Sequence, residues 1–130
     1  MIPMNKNGKT IEQLEQVFWS EPENGSYVMR SCYDLRKKPL EEFTVENLRV
    51  MIGQQEGLKY LIPIALKELS KNPLLEADCY EGDLLRAVLN LPPKFWKNHP
   101  DWKKEMEQIV RAIPSLPKEL KDVSAGWSPC

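Results

Sequence analysis

Eleven prolines divide this 130-residue chain into short segments, and nearly every segment between them has the spacing of an amphipathic helix. Apolar residues at i, i+3, i+4 and i+7 indicate a helix with one buried face. Proline lacks a backbone N–H and ends or kinks a helix. No stretch shows the sustained alternation of apolar and polar residues that a half-buried strand requires. The sequence therefore predicts an all-α fold, a single compact domain of about six to seven short helices.

Capping residues mark where the predicted helices begin, and the apolar spacing gives their buried faces. Thr10 with Gln13 is typical of a capping box, Thr44 of an N-cap, and Pro100 of a first helical position. Gly57 has the character of a C′ residue that ends the third helix. The residues predicted to face inward, helix by helix, are Ile11, Leu14, Val17 and Phe18; Val28, Cys32 and Leu35; Val45, Leu48, Met51 and Ile52; Leu58, Leu61, Ile62, Ala65, Leu66 and Leu69; Leu84, Leu85, Val88 and Leu89; and Trp102, Met106, Ile109, Val110 and Ile113.

Pro63 falls inside the fourth apolar stripe and leaves two possibilities open. Either the helix starts near Ile62, with the proline in its first turn, or a longer helix is kinked at the proline. For the whole chain we expect a flexible N-terminus over residues 1–9, a helical domain over 10–122 and a tail over 123–130. One more helical turn is predicted within residues 115–122.

The composition excludes several classes of protein. The net charge is −1, from 18 Lys and Arg against 19 Asp and Glu, which argues against direct nucleic-acid binding. No segment approaches the ~20 apolar residues of a membrane span, and no secretory signal precedes the first helix. Three widely spaced cysteines predict neither a disulfide framework nor a zinc site, and reduced thiols suit the cytoplasm. Cys32 and Cys79 are expected in the core, and Cys130 as an exposed thiol.

A catalytic site would have to include His99, because it is the single histidine of the chain. It lies in the sequence WKNHPDW, where a loop or helix-capping role is the simpler interpretation. No nucleophile, metal ligand set or phosphate-binding loop accompanies it. We therefore expect a protein that is not an enzyme and that needs no cofactor.

Two acidic clusters are the candidate binding features. The first comprises Glu76, Asp78, Glu81 and Asp83, with Tyr80 between them. Its spacing fails the EF-hand pattern, since Tyr80 would occupy the third ligand position. Two compatible interpretations remain. Glu81 and Asp83 stabilise the N-terminus of the fifth helix, or the cluster faces a partner, because carboxylates in a first helical turn also face solvent.

The second acidic cluster lies on and after the first helix. It comprises Glu12, Glu15, Glu21 and Glu23, which form either a solvated face or a docking surface for a basic protein. Trp19 beside them is either a core residue or an interface anchor. A short basic set follows, for which helix C-terminal charges and ion pairs are expected instead of a phosphate site: Arg30, Arg36, Lys37 and Lys38.

The region from Lys38 to Leu69 carries a set of residues that together are specific. They are Lys38, Pro39, Leu40, Glu42, Phe43, Thr44, Val45, Leu48, Arg49, Met51, Ile52, Gly53 and Gln54, then Gly57, Leu58, Tyr60, Leu61, Pro63, Ala65, Leu66 and Leu69. This set resembles the immunity proteins of bacterial contact-dependent growth inhibition systems. The chain departs from the Pro-Gly-Asp expected before the fifth helix, since Glu81 precedes Gly82 and Asp83. We expect that departure to alter the turn and not the fold.

The resemblance implies a small cytoplasmic helical protein that binds and neutralises the C-terminal toxin domain of its own system as a heterodimer. Toxins of such systems are often nucleases, so the resemblance also implies a partner with a basic cleft. The expected contacts are then the acidic residues of the first cluster with the tyrosine between them, Glu76, Asp78, Tyr80, Glu81 and Asp83, and Glu21 and Glu23 form the alternative surface. The second possible class is a small helical adaptor or regulatory module, and an enzyme is the third.

Overall fold

The computed structural model describes residues 8–23, 25–115 and 120, and in this part of the chain the fold is all-α without a strand. Seven α-helices follow one another, with a single 3-10 turn at Leu40–Glu42. They are α1 (Ile11–Glu15), α2 (Tyr27–Leu35), α3 (Val45–Gly53), α4 (Leu58–Lys71), α5 (Asp83–Leu89), α6 (Pro93–Asn98) and α7 (Pro100–Arg111). The predicted fold class is thus confirmed. The predictions for residues 1–7, for 116–119 and for the tail with Cys130 lie outside the described residues.

The helices surround one apolar core in which α3 is central. It packs most extensively against α5 and also contacts α2 and α4, while α7 closes the other side of α4. Nearly all predicted inward residues of α3, α4 and α5 are buried, and Met106 and Ile109 of α7 join them. A regular apolar stripe on each helix therefore located most of the core correctly.

The helix starts follow the predicted caps. Thr10 accepts a hydrogen bond from the backbone N–H of Gln13, and the Gln13 side chain accepts one from Thr10, which completes a capping box. Thr44 and Asn47 form a second capping box at α3. Each box satisfies backbone N–H groups that have no partner within the helix. These boxes fix where the chain enters α1 and α3.

Two helix boundaries, the end of α3 and the start of α4, differ from the sequence prediction. The end of α3 is a Schellman motif, in which Glu56 N–H donates to Met51 C=O and Gln55 N–H to Ile52 C=O, so Gln55 is the C′ residue. Gly57 instead precedes α4 with φ 65°, and a Cβ there would lie 2.7 Å from Ile11 Cδ1. Pro63 lies inside α4, which begins at Leu58, so the later start near Ile62 is wrong.

The first two helices bury less than their spacing predicted. Helix α1 ends at Glu15, because Gln16 adopts a left-handed conformation with φ 59°. Val17 and Phe18 are therefore outside the helix, and their side chains are 49% and 60% exposed. Val28 is 37% exposed as well, so its prediction as a core residue is also wrong. The prediction for Cys79 fails in the same way, since it is exposed while Cys32 is buried.

Candidate partner-binding surface

The loop before α5 folds around the carboxylate of Asp83, the first residue of that helix. One carboxylate oxygen accepts the backbone N–H of Ala77 at 2.7 Å. The other accepts the N–H groups of Cys79 and Tyr80 at 2.9 and 3.3 Å. The side chain is buried, so the expectation that it faces solvent is wrong. Asp83 holds the loop in shape by satisfying three backbone donors, each of which would be costly to leave unpaired.

Helix α3 supplies a second attachment for the same loop. Glu46 accepts the backbone N–H of Asp78 at 3.2 Å and forms an ion pair with Arg49 on the next helical turn. The hydrogen bonds from Arg49 are the main reason that the pKa of Glu46 is lowered. Arg49 also lies 4.0 Å from Asp83, so one guanidinium links both carboxylates that hold the loop. The loop conformation is thus fixed from α3 and from α5.

Gly82 allows the chain to turn tightly into α5. Its φ is 85°, and a Cβ at this position would lie 2.6 Å from Leu120 Cδ1. Its N–H donates to Leu74 C=O at 3.1 Å, which closes the loop at its base. Because glycine alone adopts this conformation without strain, the turn is tied to this residue.

The remaining carboxylates of the loop point to solvent. We call Glu76 to Glu81 the acidic loop. The side chains of Glu76, Asp78 and Glu81 are exposed. Among the residues that the structure describes, none of these three carboxylates has an ion-pair partner. Tyr80 is half-buried, and its hydroxyl accepts a hydrogen bond from Arg86 at 3.1 Å. The acidic loop thus presents three negative charges that the fold does not use.

The acidic residues of the first-helix zone, Glu12 to Glu23, are mostly paired. Lys37 lies 3.2 Å from Glu12, and Arg30 lies 3.1 Å from Glu21. Glu15 pairs with Arg36 at 2.8 Å. Glu23 is exposed without an ion pair in the described part of the chain. Three of the four basic residues therefore form ion pairs as predicted, while Lys38 donates to the Asn47 side chain at 2.7 Å, and this zone has little negative charge left over.

Arg36 fixes the chain that follows α1. Only 1% of the residue is exposed. Besides Glu15, its guanidinium lies 3.6 Å from Glu56, donates to Val17 C=O at 2.7 Å and stacks 4.7 Å from the ring of Trp19. Burial raises the pKa of the Glu56 carboxyl, and the nearby guanidinium opposes that effect. Arg36 thus holds both neighbours of Phe18 while Phe18 itself stays outside.

The comparisons with known proteins give a family. A family described as CDI immunity proteins matches residues 13–106, which run from α1 into α7 and include the acidic loop. The chain belongs to this family. The resemblance of the Lys38–Leu69 region to immunity proteins of contact-dependent growth inhibition is thereby confirmed. No curated protein and no solved structure matches the chain.

Immunity is therefore the function of the chain, and a cognate toxin is its implied partner. In the described part of this immunity protein, no helix is long and apolar enough to cross a membrane. In the same residues no group of three or more His, Cys, Asp or Glu side chains is placed to hold a metal ion. His99 occupies the cap position between α6 and α7 without a side-chain cap hydrogen bond, and its ring stacks on Trp102 with 4.4 Å between ring centroids.

Sequence reasoning missed the residues that position the surface of the immunity protein. The sequence pattern does not show that Glu46 and Arg49 of α3 together hold the acidic loop. It predicts Arg36 as a charge at a helix C-terminus and does not show that this residue is buried. A signal existed for Arg49 alone, because it stands in the run LR-x-MIGQ that carries the family resemblance. The burial of Arg36 depends on a chain reversal after Glu15, and the local spacing of apolar residues does not predict that reversal.

Proposed function

We propose that this immunity protein neutralises a nuclease toxin by covering its basic substrate cleft with the acidic loop. The complex is a one-to-one heterodimer with the C-terminal domain of the toxin. The observation that carries the proposal is the set of three exposed carboxylates without ion-pair partners, held on a loop that is fixed from two helices. The contacts are Glu76, Asp78 and Glu81, with Tyr80 among them.

The charges of the acidic loop suit a cationic partner. A nuclease binds a polyanion, so its cleft is basic. Unpaired carboxylates attract such a cleft over distances of about a Debye length, ~8–10 Å at physiological salt, and speed the encounter. The chain has a net charge of only −1, so this attraction must come from a local patch. Asp83 acts as a positioning residue in this proposal, because its carboxylate is occupied by the loop itself.

The surface around Glu21 and Glu23 is the alternative toxin contact in this proposal, and it is less favourable than the acidic loop. Glu21 is already paired with Arg30, so docking a cation there would compete with an existing ion pair. Glu23 alone adds one free carboxylate. The acidic loop offers a stronger local field than this zone, since its charges are not offset by neighbouring cations.

The proposal describes a stoichiometric inhibitor without turnover that acts in the cytoplasm. The lone histidine is engaged in an aromatic stack with Trp102. Inhibition then requires that the complex dissociate slowly compared with the time in which a free toxin would meet its substrate.

Co-expression with the C-terminal domain of the surface protein encoded directly upstream tests this proposal. The two chains should co-purify one to one, and the immunity protein should block cleavage of RNA or DNA by the released toxin domain. Failure to co-purify would contradict the heterodimer. Co-purification with a toxin domain that cleaves neither nucleic acid would contradict the nuclease assignment alone.

A further inference from the structure

The large hydrophobic side chains that the described chain leaves exposed belong to one short region. They are Val17, Phe18, Tyr27, Val28 and Met29, with exposed fractions from 37% for Val28 to 84% for Tyr27. We call these five residues the apolar face. Scattered exposed hydrophobics are ordinary on a protein surface, but a concentration in one region marks an interaction site. All five fall within 13 residues of sequence, on the α1–α2 connection and the first turn of α2.

Hydrogen bonds and a ring stack fix the backbone of the apolar face. Arg36 donates to Val17 C=O and stacks on Trp19, so it fixes the residues on both sides of Phe18. Ser26 caps α2 by accepting the N–H of Met29 at 3.2 Å. These contacts fix the backbone that carries the exposed side chains before any partner arrives, which lowers the ordering cost of binding.

A recess lies beside the apolar face. Trp19, Ser20, Pro22 and Met29 line it, and its volume is about 360 Å³. Gly25 keeps the turn close to it, because a Cβ at that position would lie 3.0 Å from Pro22 Cβ and 3.1 Å from Met29 Cβ. Such a lining of aromatic, proline and methionine side chains fits an apolar side chain of a partner.

Most charges near the apolar face are paired, although Glu23 is exposed without an ion pair in the described part of the chain. Arg30 is bonded to Glu21, and Arg36 to Glu15, so the side chains beside the face are largely neutralised by one another. A partner surface that complements this region is therefore apolar and uncharged at its centre. That chemistry differs from the cationic surface expected opposite the acidic loop.

We propose that the apolar face is a second contact site for the cognate toxin, with an uncharged apolar toxin side chain inserted in the recess. The proposal rests on the proposed function in that it takes the toxin as the partner. An interface of standard size has an apolar, fully buried centre and a polar rim, and the apolar face with its recess matches such a centre.

The test is the dissociation rate of the toxin complex for the variant Phe18→Ala/Met29→Ala. Both side chains are exposed, so circular dichroism and the melting temperature should match those of the wild-type protein. Since buried apolar anchors act mainly on dissociation, we expect dissociation to be about 30-fold faster and association to be nearly unchanged. The matched control Asn98→Ala/Gln108→Ala removes two exposed neutral side chains elsewhere and should dissociate like the wild-type protein.

Three outcomes decide the matter. A dissociation rate equal to that of the control would overturn the apolar face as a toxin contact, while leaving the acidic loop to be judged by its own variants. Faster dissociation in the Phe18/Met29 variant with no effect of Asp78 and Glu81 reversal would support this inference and contradict the electrostatic part of the proposed function. Light scattering could also show that the free protein is a dimer and that the same two substitutions make it a monomer. That result would assign the apolar face to self-association and overturn its role as a toxin contact.

Discussion

The two acidic regions of this immunity protein are alike in acidic content but differ in electrostatic environment. In the first-helix zone, Glu12, Glu15 and Glu21 each form an ion pair with a cation from α2 or from the two residues after it. The backbone of the acidic loop is held by two carboxylates from outside it, Glu46 of α3 and Asp83 of α5, and its three exposed carboxylates have no ion-pair partner in the described chain. The number of acidic residues in a region therefore does not show where the negative electrostatic field lies, because a carboxylate that is paired with a cation contributes little to it.

The largest expected effect concerns the paired region. Arg36→Ala should reduce the free energy of unfolding by about 2–4 kcal/mol, because it removes a buried guanidinium with its ion pairs and leaves Val17 C=O unsatisfied. Urea denaturation measures this. Arg30→Ala is the matched control, since its pair with Glu21 is exposed and should contribute at most about 1 kcal/mol. Equal losses in the two variants would show that Arg36 is not the structural centre of this zone.

The next effect concerns the scaffold of the acidic loop. Asp83→Asn should cost about 1–3 kcal/mol, because an amide NH₂ replaces one of two oxygens that accept backbone N–H groups. Asp78→Asn should stay within about 0.5 kcal/mol, since its side chain is exposed. Hydrogen exchange at the amides of Ala77, Cys79 and Tyr80 should accelerate in the Asp83 variant alone. Unchanged exchange there would contradict the role given to this carboxylate.

A smaller effect concerns pH. The pKa of Glu46 is lowered in the folded protein, mainly by hydrogen bonds from Arg49. A lowered carboxyl pKa contributes stability that is fully present above the unfolded pKa and is lost as the pH falls through the folded pKa. Glu46→Gln should therefore be less stable than the wild-type protein at pH 7, and the difference should shrink below about pH 4. A difference that stays constant down to pH 2 would indicate that the charge of Glu46 is not what stabilises the loop.

The fold was predictable because it depends on local rules. Capping boxes at Thr10 and Thr44 fixed two helix starts, and apolar spacing in α3, α4 and α5 located most of the core. The errors came where a short helix stopped early. The spacing continued through Val17 and Phe18, but the left-handed Gln16 ends α1 before them. Periodicity alone gives no information about such an end.

The candidate surface was predictable in composition and not in geometry. The run EADCYEGD identified an acidic cluster, yet it could not show which carboxylate folds inward. That depends on the chain closing over Asp83 and on Glu46, which is 32 residues away from Asp78. The apolar face was missed for a related reason, since an exposed Phe18 and a buried one are identical in sequence. Long-range contacts decide both cases.

In the proposed function, the unpaired charge of the acidic loop attracts the toxin. Stopped-flow measurement of toxin association over a range of ionic strengths tests it most directly, using the variant Asp78→Lys/Glu81→Lys. The matched control Glu41→Lys/Glu42→Lys makes the same change in net charge at two other exposed positions. We expect the loop variant to associate at least about 10-fold more slowly at low salt, with a flatter salt dependence and an unchanged melting temperature, and the control to stay close to the wild-type protein. If the loop variant associates as fast as the control at every ionic strength, the acidic loop is not the docking surface.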